Sequence, residues 1–135
     1  MSKVREVVAD DVDAEAASVS PAVNEVALVG RVSAAPEERE LPSGDLLVSW
    51  RVIVDRPPQR RAAPAGGRAP VVDTVDCVAF GAAVRRAARG LAAGDVVRVE
   101  GALRRRFWRS GGGASSRTEV EVAAIRRLAR AQASR

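Results

Sequence analysis

The side chains best suited to do chemistry are concentrated in one short run, in which three arginines precede two aromatic residues: Arg104, Arg105, Arg106, Phe107 and Trp108. Side chains alternate along a β-strand, so Arg104, Arg106 and Trp108 would share one face of it. Guanidinium groups bind phosphates in a bidentate manner, and an indole ring offers a flat surface for a base. This combination predicts non-specific binding of a single-stranded nucleic acid. The alternative is a solvated hairpin in which Trp108 covers a hydrophobic gap.

The composition of the 135 residues excludes most familiar enzyme constellations. The chain contains no histidine and no tyrosine, a single cysteine, Cys77, and a single lysine, Lys3. These absences exclude Ser-His and Cys-His catalysis, His-ligated metal sites, an internal disulfide and a cysteine metal cluster. We therefore expect a protein that is not an enzyme and that uses no metal, no nucleotide cofactor and no small-molecule substrate.

The charge is unevenly distributed along the chain, whose net charge is +5. Residues 1–23 carry two basic and five acidic side chains, net −3, which leaves +8 for residues 24–135. A polyanion is therefore the expected partner, and no amphipathic basic helix with an aromatic face points to a membrane. The lone cysteine and an N-terminus without an apolar signal segment predict a cytoplasmic location.

Hydrophobic alternation with a period of two predicts five short strands that would position these residues. The strands cover 24–32, 46–55, 71–80, 95–109 and 118–125. The segment between the first two strands holds proline and Ser-Gly turn signals and is predicted to be a loop. Between the third and fourth strands, the apolar spacing changes to that of a helix, over 83–91. This order predicts a mainly β protein, an OB-fold, which is a five-stranded Greek-key barrel with one helix between strands 3 and 4.

Several further positions have predicted structural roles. Trp50 shares its face with valines, and Cys77 lies within a strand, so both are expected in the core. Gly101 is expected at a bend or bulge, and the glycines 111–113 are expected to supply the positive φ of a hairpin turn. The Pro- and Arg-rich stretch 56–70 does not fit a central strand and predicts a long basic loop, either a solvated linker or a functional segment.

Several segments, taken in order and spacing, resemble the bacterial single-stranded DNA-binding protein family. They include Asn24-Glu-Val-Ala-Leu-Val-Gly-Arg-Val, Asp76-Cys-Val-Ala-Phe-Gly81, Gly94-Asp-Val-Val-Arg-Val-Glu-Gly-Ala-Leu103 and Arg104-Arg-Arg-Phe-Trp108. The resemblance implies an OB barrel that binds single-stranded DNA as a homo-oligomer, usually a tetramer. We therefore expect an OB-fold domain over 24–128, a flexible acidic extension over 1–23 and a basic tail over 129–135.

The resemblance also implies roles for individual residues. Trp108 and Phe80 match base-stacking aromatic residues of the family, although periodicity alone makes Phe80 equally compatible with core and surface. Arg104 and Arg106 match basic residues that precede the tryptophan on its face. The remaining expected DNA contacts are an arginine of the first loop and three arginines of the basic loop, which occupies the place of a second DNA-contacting loop: Arg39, Arg56, Arg60 and Arg61.

The chain departs from the family pattern in ways that reduce the stacking surface. Thr74 stands where the family often has a stacking tryptophan, Pro58 falls near another, and Asp76 stands where a basic residue can occur. The sequence also lacks the acidic C-terminal tail of the family, so we expect a divergent or accessory member. Its expected role is in DNA replication, recombination or repair. The alternatives are an RNA-binding or primosome-type OB module, and a paralogue that acts mainly by co-assembling with another single-strand binder.

Overall fold

The structure, a computed structural model, describes residues 21–58 and 71–132. The stretch 59–70 and both ends of the chain, including most of the predicted acidic extension, lie outside the described residues. The described part forms six strands and one helix: β1 Val26–Val32, β2 Glu37–Glu40, β3 Leu46–Asp55, β4 Val72–Ala79, α1 Ala82–Arg89, β5 Val96–Ser110 and β6 Gly113–Ala129.

Five of the strands close into a ring. The sheet runs in the order β1-β5-β6-β4-β3, and β1 also pairs with β3, which joins the two ends. The β4–β6 pairing is parallel, and the other pairings are antiparallel. The helix α1 lies in the chain between the third and fourth strands of the ring. The predicted OB-fold, with its single helix at that position, is therefore confirmed.

The sixth strand, β2, corrects the sequence-based prediction of a loop between the first two strands. Glu37–Glu40 pairs antiparallel with β3, from Glu37 opposite Ser49 to Glu40 opposite Leu46. All four β2 side chains are exposed, so the segment has no apolar alternation from which a strand could be predicted. Charged residues are common on edge strands because they discourage pairing with another chain.

The core consists mainly of valines, together with Trp50 and Cys77. Trp50 is 5% exposed and Cys77 is 1% exposed, so both predictions of a core position are confirmed. Burial raises the pKa of the Cys77 thiol to about 12. The indole N–H of Trp50 has no hydrogen-bond partner among the described residues. The strands contribute these other core residues: Val32, Val48, Val52, Val97, Val99, Val120 and Val122.

Glycines shape the hairpin formed by β5 and β6. The register shifts between Glu100 and Gly101, which confirms the predicted bulge. A Cβ at Gly101 would lie 2.0 Å from the backbone oxygen of Glu121, so no other residue fits there without a backbone shift. At the tip, Gly113 has φ +132°, as predicted for the turn, whereas Gly111 and Gly112 have no positive φ. The strand β6 begins at Gly113 and ends at Ala129, and is thus longer than predicted because its polar ends also pair with β5.

A buried carboxylate fixes the end of the described chain to the barrel. Asp95 is 3% exposed and accepts hydrogen bonds from the backbone N–H groups of Ala92, at 2.9 Å, and Ala131, at 2.7 Å. The Arg127 guanidinium donates to the same carboxylate at 3.2 Å. These donors hold the pKa of Asp95 below its usual range.

No helix in the described ranges is long and apolar enough to cross a membrane.

Candidate nucleic-acid interface

The β5–β6 hairpin positions the predicted arginines and tryptophan. The strand β1 pairs with β5 only as far as Gly101, and the rest of β5 pairs with β6. In that register, Arg104 is opposite Glu119, Arg106 is opposite Arg117, and Trp108 is opposite Ser115. Directly opposed residues in a sheet point to the same side. The structure therefore brings Arg104, Arg106 and Trp108 together on one face of the hairpin, as the sequence predicted.

A single buried carboxylate connects this face to both candidate stacking rings. Glu119, 6% exposed, accepts a hydrogen bond from Arg106 Nε, and its other oxygen lies 3.9 Å from Arg117 Nε. The Arg106 guanidinium carbon is 4.9 Å from the centroid of the Phe80 ring. The Arg117 guanidinium carbon is 5.8 Å from the centroid of the Trp108 ring. Glu119 thus holds two arginines, each within cation–π distance of one ring.

Two further arginines on this side of the barrel are paired with carboxylates at the surface. Arg104 Nε donates to Glu121 at 3.0 Å. Arg51 Nε donates to Asp76 at 2.8 Å, across the β3–β4 pairing. Asp76, which stands where the family can have a basic residue, is therefore bound to an arginine.

A groove of about 390 Å³ links the hairpin to the β2 edge strand. Arg39 of β2 and Arg117 of β6 both line it, so the structure places the predicted first-loop arginine beside the hairpin face. We call the combined surface the arginine face. It carries two rings and nine charged side chains: Phe80, Trp108, Arg39, Arg51, Arg104, Arg106, Arg117, Glu37, Asp76, Glu119 and Glu121.

Among the other predicted arginines, only Arg56 lies in the described part of the chain, and it is not part of this surface. The Arg56 guanidinium forms a bidentate ion pair with Asp73 at 2.8 to 3.2 Å, near the end of the β3–β4 pairing. That guanidinium lowers the pKa of Asp73. Arg60 and Arg61 lie outside the described residues. Of the eight predicted contact residues, the arginine face includes five, which are Trp108, Phe80, Arg104, Arg106 and Arg39.

Sequence reasoning missed five members of the arginine face, namely Arg51, Arg117, Glu37, Glu119 and Glu121. The predicted last strand began at Thr118, which left Arg117 outside it. The alternation of charged residues at 117, 119 and 121 with Thr118 and Val120 was the available signal. It indicates a charged side of that strand, whereas the partner of each charge depends on the register with β5.

The exposed fractions of the two neighbouring hairpin aromatics distinguish their positions. Trp108 is 45% exposed beside Arg117, while Phe107 is 72% exposed and is directly opposite Ser116. Because neighbouring residues of a strand point to opposite sides, Phe107 is not part of the arginine face. Leu103, 46% exposed, shares the side of Phe107.

The closed five-stranded ring with a helix between its third and fourth strands defines an OB-fold protein. The match to one family is more specific: residues 23–128 match the Single-strand binding protein family, and the chain belongs to this family. The resemblance predicted from the sequence is thereby confirmed. The family consists of DNA-binding proteins rather than enzymes, in agreement with the expectation from composition.

Two similar proteins agree with this assignment. The "Single-stranded DNA-binding protein" of Thermotoga maritima is 35% identical over 101 residues, which cover 75% of this chain and 69% of that protein. A solved structure, "Plasmodium falciparum SSB complex with ssDNA", superimposes with a TM-score of 0.65 at 19% identity. It covers 82% of this chain and 98% of the solved chain, and it supports the fold.

Proposed function

We propose that this protein binds single-stranded DNA without strong sequence preference, with the arginine face as its contact surface. One observation carries the proposal. Trp108, with 45% of its surface exposed, and Phe80 lie on a face lined with arginines, and each ring is adjacent to a guanidinium group. A base-stacking ring beside a phosphate-binding cation is the combination that sequence-independent single-strand binders use.

We assign separate binding roles to the aromatic and the charged side chains from the geometry of the face. Trp108 and Phe80 stack on bases, and Arg104, Arg106 and Arg39 contact the backbone phosphates. Glu119 is a positioning residue, because its buried carboxylate holds Arg106 and Arg117 beside the rings without reaching solvent itself. Three arginines outside the described face or range are proposed as secondary phosphate contacts: Arg56, Arg60 and Arg61.

A titration with labelled oligo-dT, oligo-U and a duplex of equal length tests the proposal, with fluorescence anisotropy as the readout. We expect oligo-dT to bind more tightly than the duplex, because stacked bases inside a duplex do not reach the rings. Equal affinity for the duplex would contradict the stacking mechanism. Tighter binding of oligo-U would instead support an RNA-binding OB module, since stacking and arginine contacts do not read the 2′-hydroxyl group.

The same titration at several salt concentrations tests the electrostatic part. Each phosphate contact on a single strand contributes about −0.7 to the slope of log K against log salt. We expect binding to weaken as salt rises and to retain a residual affinity from stacking. An affinity independent of salt would exclude a contribution from the arginines.

The proposal includes a homo-oligomeric assembly, a cytoplasmic, nucleoid-associated location, and a role in replication, recombination or repair. Support for an oligomer comes from the family and from apolar side chains at the surface, where Phe107 is 72% exposed and Val29 is 45% exposed. Light scattering coupled to gel filtration measures the mass directly. If Phe107 and Val29 lie in a contact between copies, Phe107→Ser will lower that mass.

A further inference from the structure

The arginine face is almost neutral, although residues 24–135 as a whole carry a net +8. The five arginines of the face are matched by four carboxylates. The carboxylates and arginines pair directly, since Asp76, Glu119 and Glu121 each form an ion pair with an arginine of the face. A phosphate approaching Arg51, Arg104 or Arg106 therefore meets a guanidinium group that already has an anionic partner.

Two of these ion pairs are accessible to solvent and the third is not. The side chains of Arg51 and Asp76 are 60% and 31% exposed, and those of Arg104 and Glu121 are 53% and 40% exposed. The side chain of Glu119 is only 7% exposed and holds two arginines. A phosphate can therefore exchange with the carboxylates of Asp76 and Glu121, whereas Glu119 remains in place as part of the framework.

We propose that Asp76 and Glu121 set the affinity of this face, because each is paired with an exposed arginine, and a backbone phosphate can bind that arginine only by displacing the carboxylate. The proposal adds Arg51, the partner of Asp76, to the phosphate contacts. The inference rests on the proposed single-strand binding. Their carboxylates act as internal competitors of the phosphate group, which lowers both the affinity for a polyanion and its dependence on salt. Stacking on Trp108 and Phe80, which involves no charge exchange, then contributes a larger share of the binding.

The expected size of the effect follows from the strength of exposed ion pairs. A phosphate that displaces the carboxylate must break one such pair, which weakens DNA binding by about 1.4- to 5-fold. Removing the carboxylate should therefore tighten binding by the same factor. Each arginine that becomes free to contact a phosphate should also steepen the single-strand salt slope by about 0.7. For both carboxylates together, the expected gain is about 2- to 25-fold, if the two pairs act independently.

The test compares Asp76→Asn, Glu121→Gln and the double variant with the unmodified protein in oligo-dT titrations over a range of salt. Glu100→Gln is the matched control. Glu100 is 50% exposed and pairs with Arg98 at 2.9 Å, and it lies four residues before Arg104. That spacing is about 13 Å along a strand, beyond the Debye length of about 8 Å at physiological salt. The control should leave both affinity and slope unchanged.

Tighter binding with a steeper slope in each variant, but not in the control, is the expected result. Weaker binding would overturn the inference and would mean that the carboxylates orient their arginines for DNA. An unchanged slope would also overturn it, because no additional arginine would then contact a phosphate. An equal gain in Glu100→Gln would also overturn it, because net charge alone would then explain the change. Thermal melts show whether each variant folds. If Asp76→Asn does not fold, the binding of Glu121→Gln alone decides the test.

Elution from heparin separates this inference from the proposed function. Heparin is a polyanion without bases, so it measures the release of arginines alone. The double variant should elute at higher salt than both the unmodified protein and Glu100→Gln. If oligo-dT fails to bind any form while the heparin shift appears, the proposed function is wrong and the pairing argument stands. If oligo-dT binds and neither readout shifts, only the inference fails.

Discussion

Replacing Trp108 with alanine should weaken single-strand binding while leaving the fold intact. The ring is 45% exposed and lies beside Arg117 on the hairpin, outside the barrel core. One base–aromatic stack contributes about 1–3 kcal/mol, so the dissociation constant for oligo-dT should rise by about 5- to 150-fold. The cost in stability should be well below the about 3–5 kcal/mol of truncating a buried tryptophan, because no closed cavity forms.

Because the chain has two tryptophans, the fluorescence of Trp50 can serve as an internal reference for that of Trp108. Trp50 is 5% exposed and should remain unaffected by ligand, whereas the fluorescence of Trp108 should be quenched as oligo-dT binds. In Trp108→Ala the quenching should disappear, and anisotropy of a labelled oligonucleotide then measures the residual affinity. Trp108→Phe should recover much of the binding because it retains a ring, while Trp108→Leu should not.

Leu128→Ala is the control for a general loss of exposed apolar surface. Leu128 is also 45% exposed, and it lies near the far end of β6 from the hairpin tip. It should bind oligo-dT as the unmodified protein does. The stacking assignment is wrong if Trp108→Ala lowers the melting temperature strongly and leaves the affinity unchanged, or if Trp108→Leu binds as well as Trp108→Phe.

Three other predictions concern the core and the end of the described chain. Trp50→Ala should lower the free energy of unfolding by about 3–5 kcal/mol, measured by urea denaturation, because it opens a cavity in the core. Cys77, with its pKa raised to about 12, should resist iodoacetamide at mildly alkaline pH and react only in denaturant; labelling of the native protein would contradict its burial. Because the pKa of Asp95 is lowered in the folded protein, its ionised carboxylate stabilises the fold. This contribution to stability is fully present above about pH 3.9 and is lost as the pH falls through the pKa of the folded state. Asp95→Asn should therefore lower the melting temperature at neutral pH, with a smaller difference in acid.

The fold could be predicted largely from the sequence because its elements carry strong local signals. The valine alternation of β3 and the change of spacing at α1 reflect burial on one face, which periodicity records directly. The edge strand β2 could not be predicted in this way. Its four side chains are all charged and exposed, so they form no apolar pattern. The segment is a strand because its backbone pairs with the backbone of β3.

The candidate site was only half predictable, for a related reason. Arg104, Arg106 and Trp108 lie at alternate positions of one strand, so their shared face follows from sequence spacing alone. The acidic partners Glu119 and Glu121 come from another strand, more than a dozen residues away along the chain. Arg106 is directly opposite Arg117 but donates to Glu119, so the pairing is diagonal and needs the actual register.

The burial of core residues fixes that register. The packing of the barrel therefore determines which charged residues lie side by side on its surface. Val120 and Val122, 1% and 3% exposed, alternate with Glu119 and Glu121 along β6. Burying the two valines therefore requires the two carboxylates to point to the opposite side, beside the arginines of β5. A slip of one residue would turn the valines outward and would move both carboxylates into the core, at a large cost in free energy. The near-neutral arginine face is consequently a result of the same hydrophobic burial that closes the barrel.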